Sequence, residues 1–375
     1  MQKEKQPNIG IVTFPVGESG IIPLGHLVDV VSPITSNLYL ISGNAASSLF
    51  KHDHRVYFEG VDHHSGSNTV TRVLRYTLTQ LRISYEVAQI SGKVDIFIFF
   101  IGGHHLLLPM LTSKLLGKKV ILAMAGFATQ GIKFESNTIE IPIRLIDKIN
   151  LSLSDKIILY TERLVEEYGF QKYRHKISIA HRHFLHFSKF KVEKPLEKRD
   201  NLIGYIGRLS EEKGILSFIE AIPKALERED SVEVLIGGDG QLRGKVERYL
   251  NEHNLNNKVK FVGWIPHDEL PKYLNELKLL VLPSYAEGLP NIMLEAMACG
   301  TPVLATPVGA IPDIIKEGET GFIMENNSSE CIVRNVIRAL AHPNVQQITR
   351  NAHSVVEREY TYEKAVERYR NILNS

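Results

Sequence analysis

Short runs of β-branched and aromatic residues alternate with stretches of helical periodicity along most of the chain. In the first half the runs NIGIVTF, SNLYLIS, DIFIFFI, KKVILAM and DKIILYT read as buried strands, each followed by a helical pattern. That alternation predicts parallel strands joined by crossover helices. It stops at HFSKFKVEKPLEKRD, a polar and basic stretch with one Pro, and restarts at NLIGYIG, which places a linker over residues 186–200. The second half repeats the logic with NLIGYIGRLS, SVEVLIGGDG, VKFVGW, LKLLVLPS and PVLATPVG, each strand ending in Gly or Pro before a helix begins. Two doubly wound α/β domains are expected, residues 1–185 and 201–356, with ligand loops at the carboxyl ends of their strands. The last segment, 357–375, carries Ala365, Val366, Tyr369, Ile372 and Leu373 on one helical face and is expected to pack back across the linker.

Length supports the division, since 375 residues exceed one ordinary core and suffice for two. With 44 basic and 42 acidic residues, no whole-molecule field points to nucleic acid. Cys299 and Cys331 stand apart in no ligand-like spacing, as in a reducing compartment. The charged opening MQKEKQPNIG leaves no room for a signal-peptide apolar region, so a cytoplasmic location is expected. The richest apolar run, VDIFIFFIGGHHLLLPMLTSKLL, is cut by Gly102, Gly103, His104 and His105 into pieces too short to span a membrane.

Candidate chemistry concentrates in the second half. After NLIGYIG come Gly207 and Arg208, then Lys213 and Gly214, then a helix with Ile215, Phe218, Ile219 and Ile222 on one face. Two cations beside a helix start suit a diphosphate, although the same residues read equally well as solvated loop cations beside Glu211 and Glu212. The glycines Gly237, Gly238, Gly240 and Gly244 miss the dinucleotide spacing and report only a close backbone approach. In YAEGLPNIMLE, Glu287 sits in a strand-exit loop and Glu295 more than one turn inside the following helix, with Pro290 at its first turn. A hydrolytic carboxylate pair is not excluded by that spacing alone. The helix start between the two carboxylates favours instead a ligand with an anionic middle, held near the amides of Leu289 and Asn291.

Four pieces, Gly207-Arg208 with Lys213-Gly214, GDG at 238–240, FVGW at 261–264 and the element Glu287 to Glu295, resemble in order the family 4 glycosyltransferases. The continuation EAMACGTPVLATPVGAIPDIIKEGETGFI follows the same family, so the resemblance covers about residues 201–325. It implies the GT-B fold, two Rossmann-like domains facing a central cleft, and a retaining hexosyltransferase using a UDP- or GDP-sugar and a glycan or lipid-linked acceptor. It further implies that Arg208 and Lys213 clamp the diphosphate, Glu295 holds the ribose, and Glu287 faces the transferred sugar. Gly207, Gly288, Leu289 and Asn291 would line the donor site, with Gly263 and Trp264 near the base. The chain contains no D-x-D, so a metal-independent reaction without a cofactor is expected.

In the first half the resemblance implies that Gly17, with Gly20, forms a loop facing the donor; an ordinary strand-exit turn is the alternative. Where the family carries a catalytic His, this chain has Met124, Ala125 and Gly126. His105, with His104 at a strand end, is the candidate substitute; helix capping or a polar rim is the plainer reading. HDH at 52–54, His63-His64 and HRHFLH at 181–186 lack metal-ligand spacing, and no metal is expected. Basic residues crowd the stretch 163–199, read as a solvated surface, with contact to an anionic membrane as the alternative. Two rival functions share the fold: a nucleotide-sugar epimerase and a noncatalytic donor-binding partner subunit.

Overall fold

The computed structural model describes residues 6–124 and 137–374, and they form two compact units. One comprises residues up to 183 together with segment 363–375, and the other residues 184–362.

Seven parallel strands build the first unit: β1 (Ile9–Thr13), β2 (Leu38–Ser42), β3 (Tyr57–Gly60), β4 (Ile96–Phe100), β5 (Lys119–Ala123), β6 (Lys156–Leu159) and β7 (Ile177–Ile179). Their order is β3-β2-β1-β4-β5-β6-β7, and Ile9 of β1 is in register with both Leu38 of β2 and Ile96 of β4. The central strands β1 and β4 are buried at every position, as expected where helices cover both faces of a parallel sheet. The helix Tyr362–Asn374 packs on this unit, where Lys156 Nζ donates 2.8 Å to the Ile372 carbonyl and Ala365, Val366, Tyr369, Ile372 and Leu373 are buried.

The second unit has six parallel strands, β8 (Leu202–Ile206), β9 (Glu233–Gly237), β10 (Val259–Gly263), β11 (Leu279–Leu282), β12 (Val303–Ala305) and β13 (Phe322–Ile323), in the order β10-β9-β8-β11-β12-β13. Its core joins Tyr205, Val234 and Ile236 of the sheet to Phe218, Ile219 and Ile222, the apolar face of the helix Ile215–Arg228. Both sheets reverse direction of growth at one point, between β1 and β4 and between β8 and β11. In such sheets the crevice for ligands opens at the carboxyl ends of the two strands flanking that reversal.

The basic stretch 163–199 is mostly surface, with Arg163, Lys172, Arg174, Lys191 and Lys198 exposed, but two of its arginines are turned inward. Arg182 is buried, donating 2.8 Å to the Pro23 carbonyl and bonding the Tyr160 hydroxyl. Lys176 donates to the carbonyls of Ser152 and Ser154, and Arg174 pairs with Glu162 at 2.9 Å. Arg199 is buried among carbonyl oxygens.

Two imidazoles of the first unit lie in the interior. Burial pushes the His104 ring down to about 3, and burial followed by the nearby Arg182 charge holds His183 well below its ordinary value. An imidazole depressed in the native state is protonated first in the unfolded chain. Stability is therefore complete above about pH 6.5 and falls as pH drops below it, by about 1.4 kcal/mol per pH unit for each such ring. Urea midpoints should fall between pH 7.5 and pH 5; equal midpoints would contradict the burial of these rings.

Candidate functional site

The carboxyl ends of β8, β9 and β10 are tied together through their main chains. Gly207 N donates to the Gly237 carbonyl at 3.0 Å, Gly238 N to the Gly263 carbonyl at 2.6 Å, and Leu209 N to the Asp239 carbonyl at 2.9 Å. A side chain at Gly238, where φ is +130°, would place its Cβ 1.9 Å from the Gly207 carbonyl oxygen. The close approach foreseen for these glycines is made to the β8 exit loop at Gly238 and Gly240, whereas a Cβ at Gly244 would meet nothing within 4 Å. The Tyr205 hydroxyl donates 2.6 Å to the Arg208 carbonyl and fixes that turn from below. Burial, then the charges of Glu287 and Glu212, push the Tyr205 hydroxyl pKa upward, which keeps it a donor.

Lys213 and Glu287 are brought together across the reversal point. Gly214 at φ +70° lies against the strand-exit loop of β11, where a Cβ would sit 1.9 Å from the Pro283 carbonyl oxygen. Tyr285 N donates 2.8 Å to the Glu212 carbonyl across the same seam. Lys213 Nζ then lies 2.7 Å from Glu287 Oε2, while Ser284 Oγ donates 2.7 Å to Glu287 Oε1. The Glu287 side chain is only 7% exposed, so both of its oxygens are held rather than solvated. Its loop is pinned again where Ala310 N donates to the Gly288 carbonyl, with Gly309 too close to the Glu287 carbonyl for any side chain.

Arg208 behaves differently. It reaches Glu212 at 3.2 Å, both side chains about half exposed, and among the described residues no hydrogen bond joins it to Glu287. An exposed pair of this kind is worth little, so the guanidinium is free to exchange Glu212 for an anionic ligand.

The helix Asn291–Ala298 begins directly after Pro290, with Leu289 buried and Gly288 and Asn291 half-buried. Glu295 is buried at its fifth residue, and its Oε1 lies 2.8 Å from His267 Nε2. Lys189 Nζ lies 3.2 Å from His267 Nδ1 and 2.5 Å from Asp268 Oδ1. An ammonium can only donate, so Nδ1 accepts and Nε2 carries the proton it gives to Glu295. From sequence Lys189 stands only among the basic residues of 163–199 and His267 not at all; the one signal is the place of His267 three residues after Trp264. Gly263 has φ +68°, and Trp264 is 72% exposed, so its indole is available to a ligand or to solvent.

In the first unit Gly17 is an exposed residue capping the helix Glu18–Val31, and a Cβ there would meet nothing within 4 Å. Gly20, by contrast, packs against Val16. Met124 is buried; Ala125 and Gly126 lie outside the described residues. The tandem histidines follow β4 in a short turn after Gly102, whose φ is +76°. His105 Nδ1 is 2.8 Å from Oδ1 of Asp147, a carboxylate that is 2% exposed. The Tyr76 hydroxyl donates 2.6 Å to the His105 carbonyl, and Asn150 Nδ2 donates 2.8 Å to that of His104. The pairing with Asp147 was not legible beforehand, because the two residues are 42 positions apart.

His104, His105 and Asp147 present ligand atoms within 4.8 Å of one another, the one group of three of this kind among the described residues. Of the other histidines, His63 Nδ1 bonds Thr79 Oγ1 at 2.8 Å.

Comparison with known proteins follows the same architecture. The model of the family described as glycosyl transferases group 1 matches residues 187–355. An uncharacterized glycosyltransferase of Methanocaldococcus jannaschii is 33% identical over 165 residues, 44% of this chain and 42% of that protein, so the match spans less than half of that relative. The N-acetyl-alpha-D-glucosaminyl L-malate synthase of Bacillus anthracis is 22% identical over 97% of this chain and 96% of its own length. The crystal structure of Anabaena HepE in complex with UDP superposes with a TM-score of 0.78 at 16% identity, covering 97% of this chain and 99% of that one, which establishes a shared fold. Residues 187–355, most of the second unit, thus resemble the glycosyl transferases group 1 family, and the GT-B fold is shared along nearly the whole length.

Proposed function

We propose that this protein is a retaining, metal-independent glycosyltransferase that moves a hexose from a UDP- or GDP-sugar to a hydroxyl of a glycan or lipid-linked acceptor. The observation that carries the reading is the Lys213–Glu287 pair at the reversal point of the second sheet, with Arg208 on the adjoining turn. Cleavage of a glycosyl phosphate builds negative charge on the departing diphosphate. Fixed cations there stabilise the transition state more than the ground state and take the place a divalent ion would otherwise fill.

In this reading Lys213 and Arg208 hold the diphosphate, Glu287 meets hydroxyls of the transferred sugar, and Glu295, oriented by His267, holds the ribose. The exposed Trp264 and Gly263 would lie toward the base. Retention follows from transfer on the face the diphosphate leaves, with a phosphate oxygen assisting removal of the acceptor proton. His105, its Nδ1 fixed by Asp147, is the candidate base or orienting group on the acceptor side. The UDP bound by the Anabaena protein of like fold supports a uridine donor.

Screening UDP-, GDP- and ADP-sugars by thermal unfolding tests the donor. The right one at 100 times its Kd should add roughly 2.7 kcal/mol of stability. The Arg208→Ala variant should lose most of that gain, and the wild type should slowly release nucleoside diphosphate without acceptor. Stabilisation without any turnover would favour a noncatalytic binding subunit, and no stabilisation by any nucleotide sugar would overturn the proposal.

A further inference from the structure

The helix Thr69–Ile90 carries two apolar faces, and the fold uses only one. Its start is fixed by a reciprocal cap, Asn68 Oδ1 accepting from Thr71 N while Thr71 Oγ1 accepts from Asn68 N. Thr79, Gln80, Ile83, Val87 and Ile90 are buried, with Gln80 Oε1 accepting from Leu108 N of the neighbouring helix Leu107–Leu115. On the other side Val70, Val73, Leu74, Leu78, Leu81 and Tyr85 are 45–77% exposed. At 100° per residue these six fall within an arc of roughly 140°, and at 1.5 Å per residue they run about 22 Å along the axis. Scattered exposed aliphatics are ordinary on a protein surface; a continuous stripe of six on one helix marks a binding face.

We propose that this stripe docks on an anionic lipid bilayer, the helix lying flat with its exposed apolar side chains among the acyl boundary and its arginines at the head groups. The charge on the helix selects that partner. Arg72, Arg75 and Arg82 are exposed, whereas Glu86, half-buried, is the one acidic residue within the helix. Arg75 and Arg82 flank one edge of the stripe on the helical wheel. Arg72 Nε bonds the Gly66 carbonyl, and Arg75 Nη1 those of His64 and Ser65, contacts that position the guanidinium groups without neutralising them. A second copy of the chain is a poorer occupant, because an antiparallel two-fold contact of helix on helix through this face would set the same basic edge against itself. An apolar stripe with a cationic edge is the arrangement by which an amphipathic helix holds to the membrane surface without crossing it. Among the described residues no helix is long and apolar enough to cross. The inference does not depend on which nucleotide sugar is used, or on whether the second unit transfers anything.

Flotation of the full chain with vesicles tests it. The protein should float with vesicles of phosphatidylcholine and phosphatidylglycerol in equal parts at low salt, and less with phosphatidylcholine alone or at high salt. The double variant Leu78→Glu, Leu81→Glu should partition at least about tenfold more weakly, with its melting temperature and donor stabilisation unchanged. Arg75→Gln with Arg82→Gln should remove the preference for anionic lipid, which provides a second reading if the glutamate variant is poorly folded. The idea fails if the wild type stays with neither vesicle, or if the glutamate variant floats like the wild type. It also fails if the stripe proves to mediate a concentration-dependent dimer in sedimentation velocity.

Discussion

Replacing Lys213 by alanine should lower kcat/KM by about 10²–10³, the magnitude typical of removing one preorganised donor from a developing anion. The ammonium has three N–H groups, and Glu287 Oε2 at 2.7 Å takes one of them. At 27% exposure the group can direct the others at a bound diphosphate without first breaking the pair. The substitution also strands Glu287, whose remaining partner is the Ser284 hydroxyl on Oε1. A carboxylate so enclosed loses stability when its cation is removed, at most a few kcal/mol because the lysine itself is partly solvated. The two effects separate in a cycle: Lys213→Ala with Glu287→Gln should recover much of the stability but none of the activity. Activity within threefold of wild type in Lys213→Ala, measured with a donor established by stabilisation, would remove the clamp from the mechanism.

The largest effect on stability is expected at Arg199, which has no role in the proposed chemistry. Its guanidinium donates to the carbonyls of Lys194, Leu274, Leu277 and Cys299 and to Thr301 Oγ1, at 2.7–3.3 Å, and the residue is 4% exposed. Burial pushes its pKa down to about 10, still charged at neutral pH. One planar group therefore ties the approach to β8 to the ends of two helices, holding main-chain oxygens that water does not reach. Arg199→Ala leaves most of them unsatisfied; of the four carbonyls, that of Leu274 also accepts from Thr301 Oγ1. A loss of about 3–5 kcal/mol in urea unfolding is expected. Arg199→Lys should recover only a minor part, since an ammonium cannot reproduce the fork. A change below 1 kcal/mol would show that these oxygens find other donors.

Periodicity located the interior strands of both sheets but passed over three. β3, β7 and β13 all lie at sheet edges, and β3 has no fully buried residue. β3 is half in water and carries no apolar pattern, and β7 and β13 are only three and two residues long, too short for alternation to show. Of the residues proposed from sequence, Lys213 and Glu287 stand in direct contact, although they are 74 positions apart. Arg208 and Trp264 stand at exits of the same sheet, with β9 between their strands, and Glu295 is turned toward His267.

The two doubly wound halves are legible in the chain alone, because burial on both faces of a parallel strand requires continuous apolar runs that chance rarely supplies. So is the order of the motifs in the second half, since glycines, cations and carboxylates at strand ends are local features of the chain. Which polar groups meet emerges with folding: Lys213 with Glu287, His267 with Glu295, His105 with Asp147. Likewise, the chain names the apolar residues of the helix Thr69–Ile90, but packing against the helix Leu107–Leu115 decides which face is covered and which stripe is left in the open. The basic run 163–199 reads as surface and mostly is, but folding turns its Arg182 and Arg199 inward. The reason is common to all these cases: periodicity records that a side chain must be buried or paired, and only three-dimensional proximity supplies the partner.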